Sequence, residues 1–357
     1  MRAALLTGNG GPETLVVRDD VDPPTPAVDE VLIRVAACGM NNTDINTRVG
    51  WYSRSVTSGT TGGGFDEAST DDATWGRGGL AFPRIQGADV VGRIIAVGAA
   101  ADDGLIGRRV LVDPWIRDAD DPMRRELAGY LGSERDGGFA ELCAVPARNV
   151  HPIDSALTDA ELATFACSWS TAEHMLHRVR LDAGQSIAVT GASGGVGSAL
   201  VQLAKRRGAT VTAVAGASKH EAVRALGADH LVDRAADDAP AAAVARAGEP
   251  FDVVADIVGG DAFGGWLDAL HRGGRYVTSG AIAGPVVDLD LRTLYLNDLE
   301  LYGATVYEPQ VFADLVGYVE RGEVRPVLAG TYPLEQIHEA QAAFERKQHV
   351  GNLVITI

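Results

Sequence analysis

Gly191, Gly194, Gly195 and Gly197 crowd into one short run, GASGGVG, directly after an apolar segment. Glycine lets a backbone turn sharply and bring its N–H groups against a ligand, and the ligand that rewards this is a phosphate. Gly191 permits the turn, Gly194 and Gly195 leave room for a pyrophosphate, and Gly197 lets a following helix approach a sheet. Residues 210–219 bear on which dinucleotide fits. A site selective for NAD ends its second strand with Asp or Glu, which accepts hydrogen bonds from both ribose hydroxyls and repels a 2′-phosphate. Here that end reads Ala215-Gly216-Ala217-Ser218-Lys219, with no acid. Ser218 can donate to a phosphate and Lys219 can neutralise it. Arg234, a little further on, can stack on adenine or add charge. The expected cofactor is therefore NADP(H).

These residues work only if the right elements hold them. Residues 186–190 (SIAVT) form an apolar, β-branched run of the kind found in buried parallel strands. Val196, Leu200, Val201, Leu203 and Ala204 then recur at helical spacing, Lys205, Arg206 and Arg207 fill a last turn, and Gly208 can stop it. Residues 210–215 form a second strand. Strand, glycine turn, helix and strand within about 30 residues is the setting that makes a glycine-rich turn a dinucleotide site, although G-x-x-G-G-x-G varies the commoner G-x-G-x-x-G spacing.

The remaining chain divides in texture. Up to about residue 155, short alternating runs such as 30–36 (EVLIRVA), 90–97 (VVGRIIAV) and 109–112 are separated by Gly, Pro and Asp, which predicts a β-rich domain. Residues 53–82 and 113–138 lack a period and read as surface excursions. From about residue 158, strands expected at 186–190, 210–215, 230–233, 251–257, 275–279 and 299–306 alternate with helices such as 220–226 and 262–271. This is the pattern of a six-stranded, doubly wound parallel sheet. The tail predicts helices at 311–321 and 334–346, then a strand at 351–357 returning to the first domain. The fold class is α/β, with domains at 1–155 plus 307–357 and at 156–306.

With 31 Lys and Arg against 48 Asp and Glu, the formal charge of −17 repels phosphate backbones and anionic lipid surfaces, so neither nucleic acid nor membrane is an expected partner. No apolar run approaches a membrane span, and the opening MRAALLTGNGG breaks at glycines before a signal-peptide core forms. Three cysteines without a Cys-x-x-Cys pair suit a reduced, cytoplasmic protein.

Taken together, the chain resembles the medium-chain dehydrogenases/reductases over nearly its whole length. The resemblance rests on the ordered series Cys38-Gly39-Met40-Asn41-Asn42-Thr43-Asp44, Gly87-Ala88-Asp89-Val90-Val91-Gly92, Gly107-Arg108-Arg109-Val110, Gly138-Phe139-Ala140-Glu141, Ser170-Thr171-Ala172, the glycine turn, and Gly351-Asn352-Leu353-Val354. It implies a GroES-like catalytic domain interrupted by a Rossmann domain, generally in dimers or tetramers. A homodimer joined at the outer strand, 299–306, is the expected assembly. Ser193, Gly194, Gly195, Val196, Gly216, Ser218, Lys219, Arg234, Val258, Ser279, Gly280 and Asn352 are the residues expected to hold the cofactor.

Zinc-dependent members of the family place a ligand cysteine where this chain has Asn41 and a ligand histidine followed by glutamate where it has Ala88-Asp89. Cys167 matches the third ligand position, but alone it holds no zinc, and its expected role is that of a small buried hydrophobe. No cysteine lies in 113–138, where relatives carry a structural zinc lobe. The expectation is therefore no metal. Residues 41–52 (NNTDINTRVGWY) instead resemble the zinc-free quinone oxidoreductase and enone reductase branch. In that branch the matching Asn41, Asp44 and Tyr52 face or support the substrate cleft, and Thr171 matches a threonine beside the nicotinamide. An internal Asp44–Arg48 ion pair is the alternative role for those two residues.

The function that the resemblance implies is hydride transfer from NADPH to a quinone or an α,β-unsaturated carbonyl, with Asn41, Tyr52 and Thr171 at the site. A conjugated acceptor delocalises the incoming charge, so hydrogen bonds can stabilise it without a Lewis acid. Two other readings share these residues: a zinc-free aldehyde or ketone reductase, and a non-catalytic NADPH-binding redox sensor. If 53–82 covers the cleft, Trp51, Phe65, Trp75 and Phe82 could close over a planar acceptor.

Overall fold

Two large sheets organise the computed structural model, which describes residues 1–60, 68–69, 71–74 and 79–357. Phe65 and Trp75 lie outside the described residues. One sheet is six parallel strands in the order His230–Asp233, Thr210–Ala215, Ser186–Val189, Phe251–Asp256, Leu270–Thr278, Glu300–Gly303. Its central strands are covered on both faces, so Ile187, Ala188 and Val189 are all fully buried. This is why the run carries no polar alternation. Strand order reverses between Ser186–Val189 and Phe251–Asp256, and the crevice at such a reversal is where α/β sheets bind ligands. Buried Asp256 locks that crevice: its carboxylate accepts Thr190 Oγ1 at 2.6 Å, Tyr276 Oη at 2.6 Å and the Val258 N–H at 2.8 Å.

The other sheet has seven strands. Val150–Pro152, Arg109–Val112, Asp89–Val97, Glu30–Gly39, Asn352–Thr356 and Leu328–Pro333 follow one another across it, and Leu142–Pro146 pairs with Glu30–Gly39. Asn352–Thr356 runs antiparallel to Glu30–Gly39, with Val354 opposite Gly39, so the tail returns to the first sheet as its alternation predicts. The helix Ala166–Arg178 packs in a core that reaches from Ala37 and Val91 of this sheet to Val189 and Val277 of the other.

Three expectations change. The helix expected at 262–271 is only Phe263–Asp268, because Leu270 is drawn into the parallel sheet opposite Phe251. The expected strand 299–306 is only Glu300–Gly303. Residues 113–138 are not simply a surface excursion. Asp113, Trp115, Arg117, Tyr130, Leu131 and Ser133 are buried. Arg117 pairs with Asp113 at 2.7 Å, and Asp113 accepts Tyr307 Oη at 2.8 Å. The charges there that signalled solvent are partly paired inside the molecule. Among the described residues, no helix is long and apolar enough to cross a membrane.

Candidate active site

Register brings the first two motifs together. Gly39 ends one strand opposite Asp89, the first residue of its neighbour. Just beyond Gly39, Asn41 is the N-cap of the helix Asn42–Val49, whose last turn closes on Gly50 at φ 72°, a left-handed position that favours glycine. Asp44 accepts the Asn41 N–H at 2.7 Å, as an acid in a helix's first turn can. The Asn41 side chain turns the other way, and its Nδ2 donates to Asp89 Oδ2 at 3.0 Å. Asp89 Oδ1 accepts the Cys167 N–H at 2.6 Å, which fastens the seven-stranded sheet to the helix Ala166–Arg178.

Asp44 and Asp89 are both buried, and burial raises both carboxyls from 3.8 to about 7. Asp44 also raises Asp89 directly, while the donors at Asn41 and Cys167 pull Asp89 back down. The alternative Asp44–Arg48 ion pair is not formed. Arg48 reaches Glu345 at 2.8 Å and the Gly10 carbonyl at 3.0 Å instead.

Cys167 and Thr171 are one helical turn apart and share a face. Cys167 is half-buried and packed against the core, as a small hydrophobe would be, and Tyr130 and Thr171 act on its thiol. Burial first, then Asp89, holds the thiol well above its ordinary value. Tyr52 is half-buried, and Thr43, Asn46 and Cys167 are the neighbours that act on its hydroxyl. Burial keeps Tyr52 protonated well above its ordinary range. Cys167 is thus the common neighbour of Tyr52 and Thr171, while Asn41 joins them through Asp89. Residue types did not single out Tyr130, because its surroundings have no period. The i, i+4 spacing of Cys167 and Thr171 was a usable signal for that pair.

The segment after Tyr52 crosses toward the six-stranded sheet. Trp51 Nε1 donates to the Ser58 carbonyl at 2.9 Å, and the Thr60 N–H donates to the Ile282 carbonyl at 3.0 Å. Gly59 lies so close that a Cβ there would sit 2.5 Å from that same carbonyl.

The expected cofactor residues gather at the strand ends. The helix Gly195–Arg206 begins at the glycine turn, and its first N–H groups have no partner within the helix. A side chain on Gly197 would collide with the Gly191 carbonyl, and one on Gly195 would sit 2.7 Å from Asn352 Nδ2. The Gly351 N–H donates to the Ser193 carbonyl at 2.9 Å, and Asn352 Nδ2 donates to Ser168 Oγ at 3.0 Å. Asn352 Oδ1 is buried without a partner within the chain. Val196, Val258, Ser279 and Gly280 are half-buried around the crevice, and Ser218 is exposed. Arg234 lies beside Gly216, its Nε 3.7 Å from where a Cβ would be. Lys219 Nζ donates to the carbonyls of Lys347 at 2.6 Å and His349 at 2.8 Å, so it anchors a loop as well as adding charge. Burial, with repulsion from Lys219, lowers Lys347 to about 8, and burial, with repulsion from Lys347 and Lys219, lowers His349 to about 4. Sequence reasoning missed Lys347 and His349, which lie far from Lys219 along the chain.

The residues present fit a dinucleotide phosphate. Lys219 and Lys347 are half-buried, and both meet only neutral oxygens in the hydrogen bonds formed here, in a chain of net charge −17. Among the described residues, no group of three or more His, Cys, Asp or Glu side chains is arranged to hold a metal ion.

Residues 27–155 match the alcohol dehydrogenase GroES-like domain, and residues 195–321 match the zinc-binding dehydrogenase domain. A solved structure from Sinorhizobium meliloti, provisionally named an alcohol dehydrogenase, is 49% identical with a TM-score of 0.89, the alignment covering 100% of this chain and 96% of that one. The quinone oxidoreductase of Lama guanicoe is 29% identical over 100% of this chain and 97% of its own. The acryloyl-coenzyme A reductase of Metallosphaera sedula is 27% identical over the whole of both chains. The two domain matches, the shared architecture and the close structural relative establish that this chain belongs to the medium-chain dehydrogenase/reductase family of oxidoreductases.

Proposed function

We propose that the protein is an NADPH-dependent oxidoreductase that reduces a quinone or an α,β-unsaturated carbonyl without zinc. The observation that carries this reading is the closure of Asn41, Asp89 and Cys167 on one another. The side chain of Asn41 and the backbone N–H of Cys167, at two positions where zinc-dependent relatives hold metal, both bond to the carboxylate of Asp89, the residue after the third such position, Ala88. Neither Asn41 nor Ala88 offers the nitrogen or sulfur ligation that zinc prefers.

When bound, the nicotinamide supplies a hydride. The chain's own groups then stabilise the charge that reaches the acceptor oxygen, and the hydroxyls of Tyr52 and Thr171 are the donors suited to it. Thr43 and Asn46 neighbour the Tyr52 oxygen, and burial keeps that hydroxyl protonated, so it can donate a hydrogen bond to the acceptor oxygen. Asn41 positions Asp89, and through it Cys167 and Thr171. Ser193, Gly194, Gly195 and Val196 would hold the pyrophosphate at the helix N-terminus, with Asn352 beside them. Gly216, Ser218, Lys219 and Arg234 would take the 2′-phosphate, and Val258, Ser279 and Gly280 would line the nicotinamide side.

We assign 1–155 and 307–357 to the catalytic domain and 156–306 to the cofactor domain, in a cytoplasmic homodimer. The dimer reading draws on the outer strand Glu300–Gly303, which pairs on one side only, and on exposed Val286, Leu291, Tyr295 and Leu296 just before it. A second activity, reduction of a saturated aldehyde or ketone, is favoured by the name of the 49% identical relative. A panel of quinones and enones against saturated ketones separates the two: conjugated acceptors should oxidise NADPH at least tenfold faster, a margin of about 1.4 kcal/mol in barrier.

A further inference from the structure

Lys347 belongs to none of the motifs discussed so far, yet it stands between the two halves of the site. Its backbone takes the left-handed conformation, at φ 51°, which is uncommon for a residue with a side chain. That turn directs its carbonyl to Lys219 Nζ and its own Nζ to Asn42 Oδ1, at 2.6 Å in each case. The ammonium also lies 3.7 Å from the centre of the Phe344 ring. Asn42 is the first residue of the helix Asn42–Val49, and that helix carries Thr43 and Asn46, whose side chains neighbour the Tyr52 hydroxyl.

The path from the proposed 2′-phosphate subsite to Tyr52 is therefore short and continuous. It runs from Lys219 to the 347 and 349 carbonyls, through Lys347 to Asn42, and along one turn of helix to Thr43 and Asn46. Lys219 has three N–H donors and the loop carbonyls take two, so a phosphate can bind the third without releasing the loop. A phosphate would also screen the repulsion by which Lys219 lowers Lys347 and His349. Glu345 is the one acid among the electrostatic neighbours of Lys347, and it is paired with Arg48.

We propose that Lys347 is a positioning residue that couples the 2′-phosphate subsite to the catalytic helix, so that the phosphate distinguishing NADP from NAD orders the Tyr52 support as well as adding affinity. This rests on the NADP(H) reading of Lys219 and Arg234.

The test is amide hydrogen exchange of residues 42–49 in the full-length protein, with NADP⁺ and then NAD⁺ at saturation, beside calorimetric affinities for both. Exchange should be about fivefold slower with NADP⁺ than with NAD⁺, the lower end of coupling between linked sites. Asn42→Ala, which removes no charge, should abolish that difference while its NADP⁺ affinity stays within about twofold. Lys347→Met should abolish it too. Equal protection by the two cofactors in the unmodified protein, or a difference that survives in Asn42→Ala, overturns the coupling. If NADP⁺ binds no more tightly than NAD⁺, the cofactor reading falls and takes the coupling with it. Tighter NADP⁺ binding with no extra protection refutes the coupling alone.

Discussion

Asn41 Nδ2 lies 3.0 Å from Asp89 Oδ2, and that contact joins the position at which zinc-dependent members of this family place a ligand cysteine to the residue just after the one at which they place a ligand histidine. The same carboxylate takes the Cys167 N–H, so a single buried acid organises the place that a cation organises elsewhere.

That arrangement has a pH signature. Burial raises Asp44 and Asp89 to about 7, so the folded chain binds their protons more tightly than the unfolded chain does. Their contribution to stability is full at pH below the unfolded carboxyl value near 4 and is lost as pH rises through about 7, by up to about 1.4 kcal/mol per pH unit per carboxyl. Asp44→Asn keeps an acceptor for the Asn41 N–H and removes one titrating group. Its melting temperature should fall less steeply than that of the unmodified protein between about pH 5 and 7. Parallel curves for the two proteins would contradict the assignment.

Cofactor selectivity should divide between two cations. Arg234→Ala should weaken NADPH about tenfold and leave NADH within about twofold, since a charge-assisted hydrogen bond contributes about 1.5 to 3 kcal/mol. Lys219→Ala should weaken both cofactors, because it also removes the anchor of the 347 and 349 carbonyls. Equal affinity of the unmodified protein for NADPH and NADH, measured by fluorescence titration, would contradict this.

Much of this was legible in the sequence, and the physics explains which parts were. The glycine turn and its flanking elements were plain because a buried parallel strand and an amphipathic helix each leave a local pattern. The long-range partners were not, since the contacts of Lys219 with Lys347 and His349 join residues 128 and 130 positions apart. Residues 113–138 misled for a related reason. Asp113 and Arg117 look like solvent-facing charges until their pairing inside the molecule is seen. Cys167 looked apolar by type, and its polar surroundings come from Tyr130, which is remote in sequence.

The segment after Tyr52 touches the loop that follows the strand Leu270–Thr278 through Gly59 and Thr60, which suits a cover over the cleft. Gly59→Val forces a side chain into the Ile282 carbonyl and should part that contact. The KM for a quinone should rise severalfold while NADPH affinity holds, and unchanged kinetics would show the contact to be incidental.

The outer strand predicts assembly. Light scattering should give a dimer, and Leu296→Glu together with Leu301→Glu should yield monomers that keep their melting temperature within a few degrees. A monomer at every concentration of the unmodified protein would remove the proposed interface.

The most direct test of the central claim is the rate at which protein exhaustively treated with a strong zinc chelator oxidises NADPH in the presence of a quinone or an enone. The account predicts a rate unchanged from that of untreated protein, with no stoichiometric zinc by elemental analysis of the same sample. Loss of the rate on chelation, with recovery on adding zinc, would contradict it.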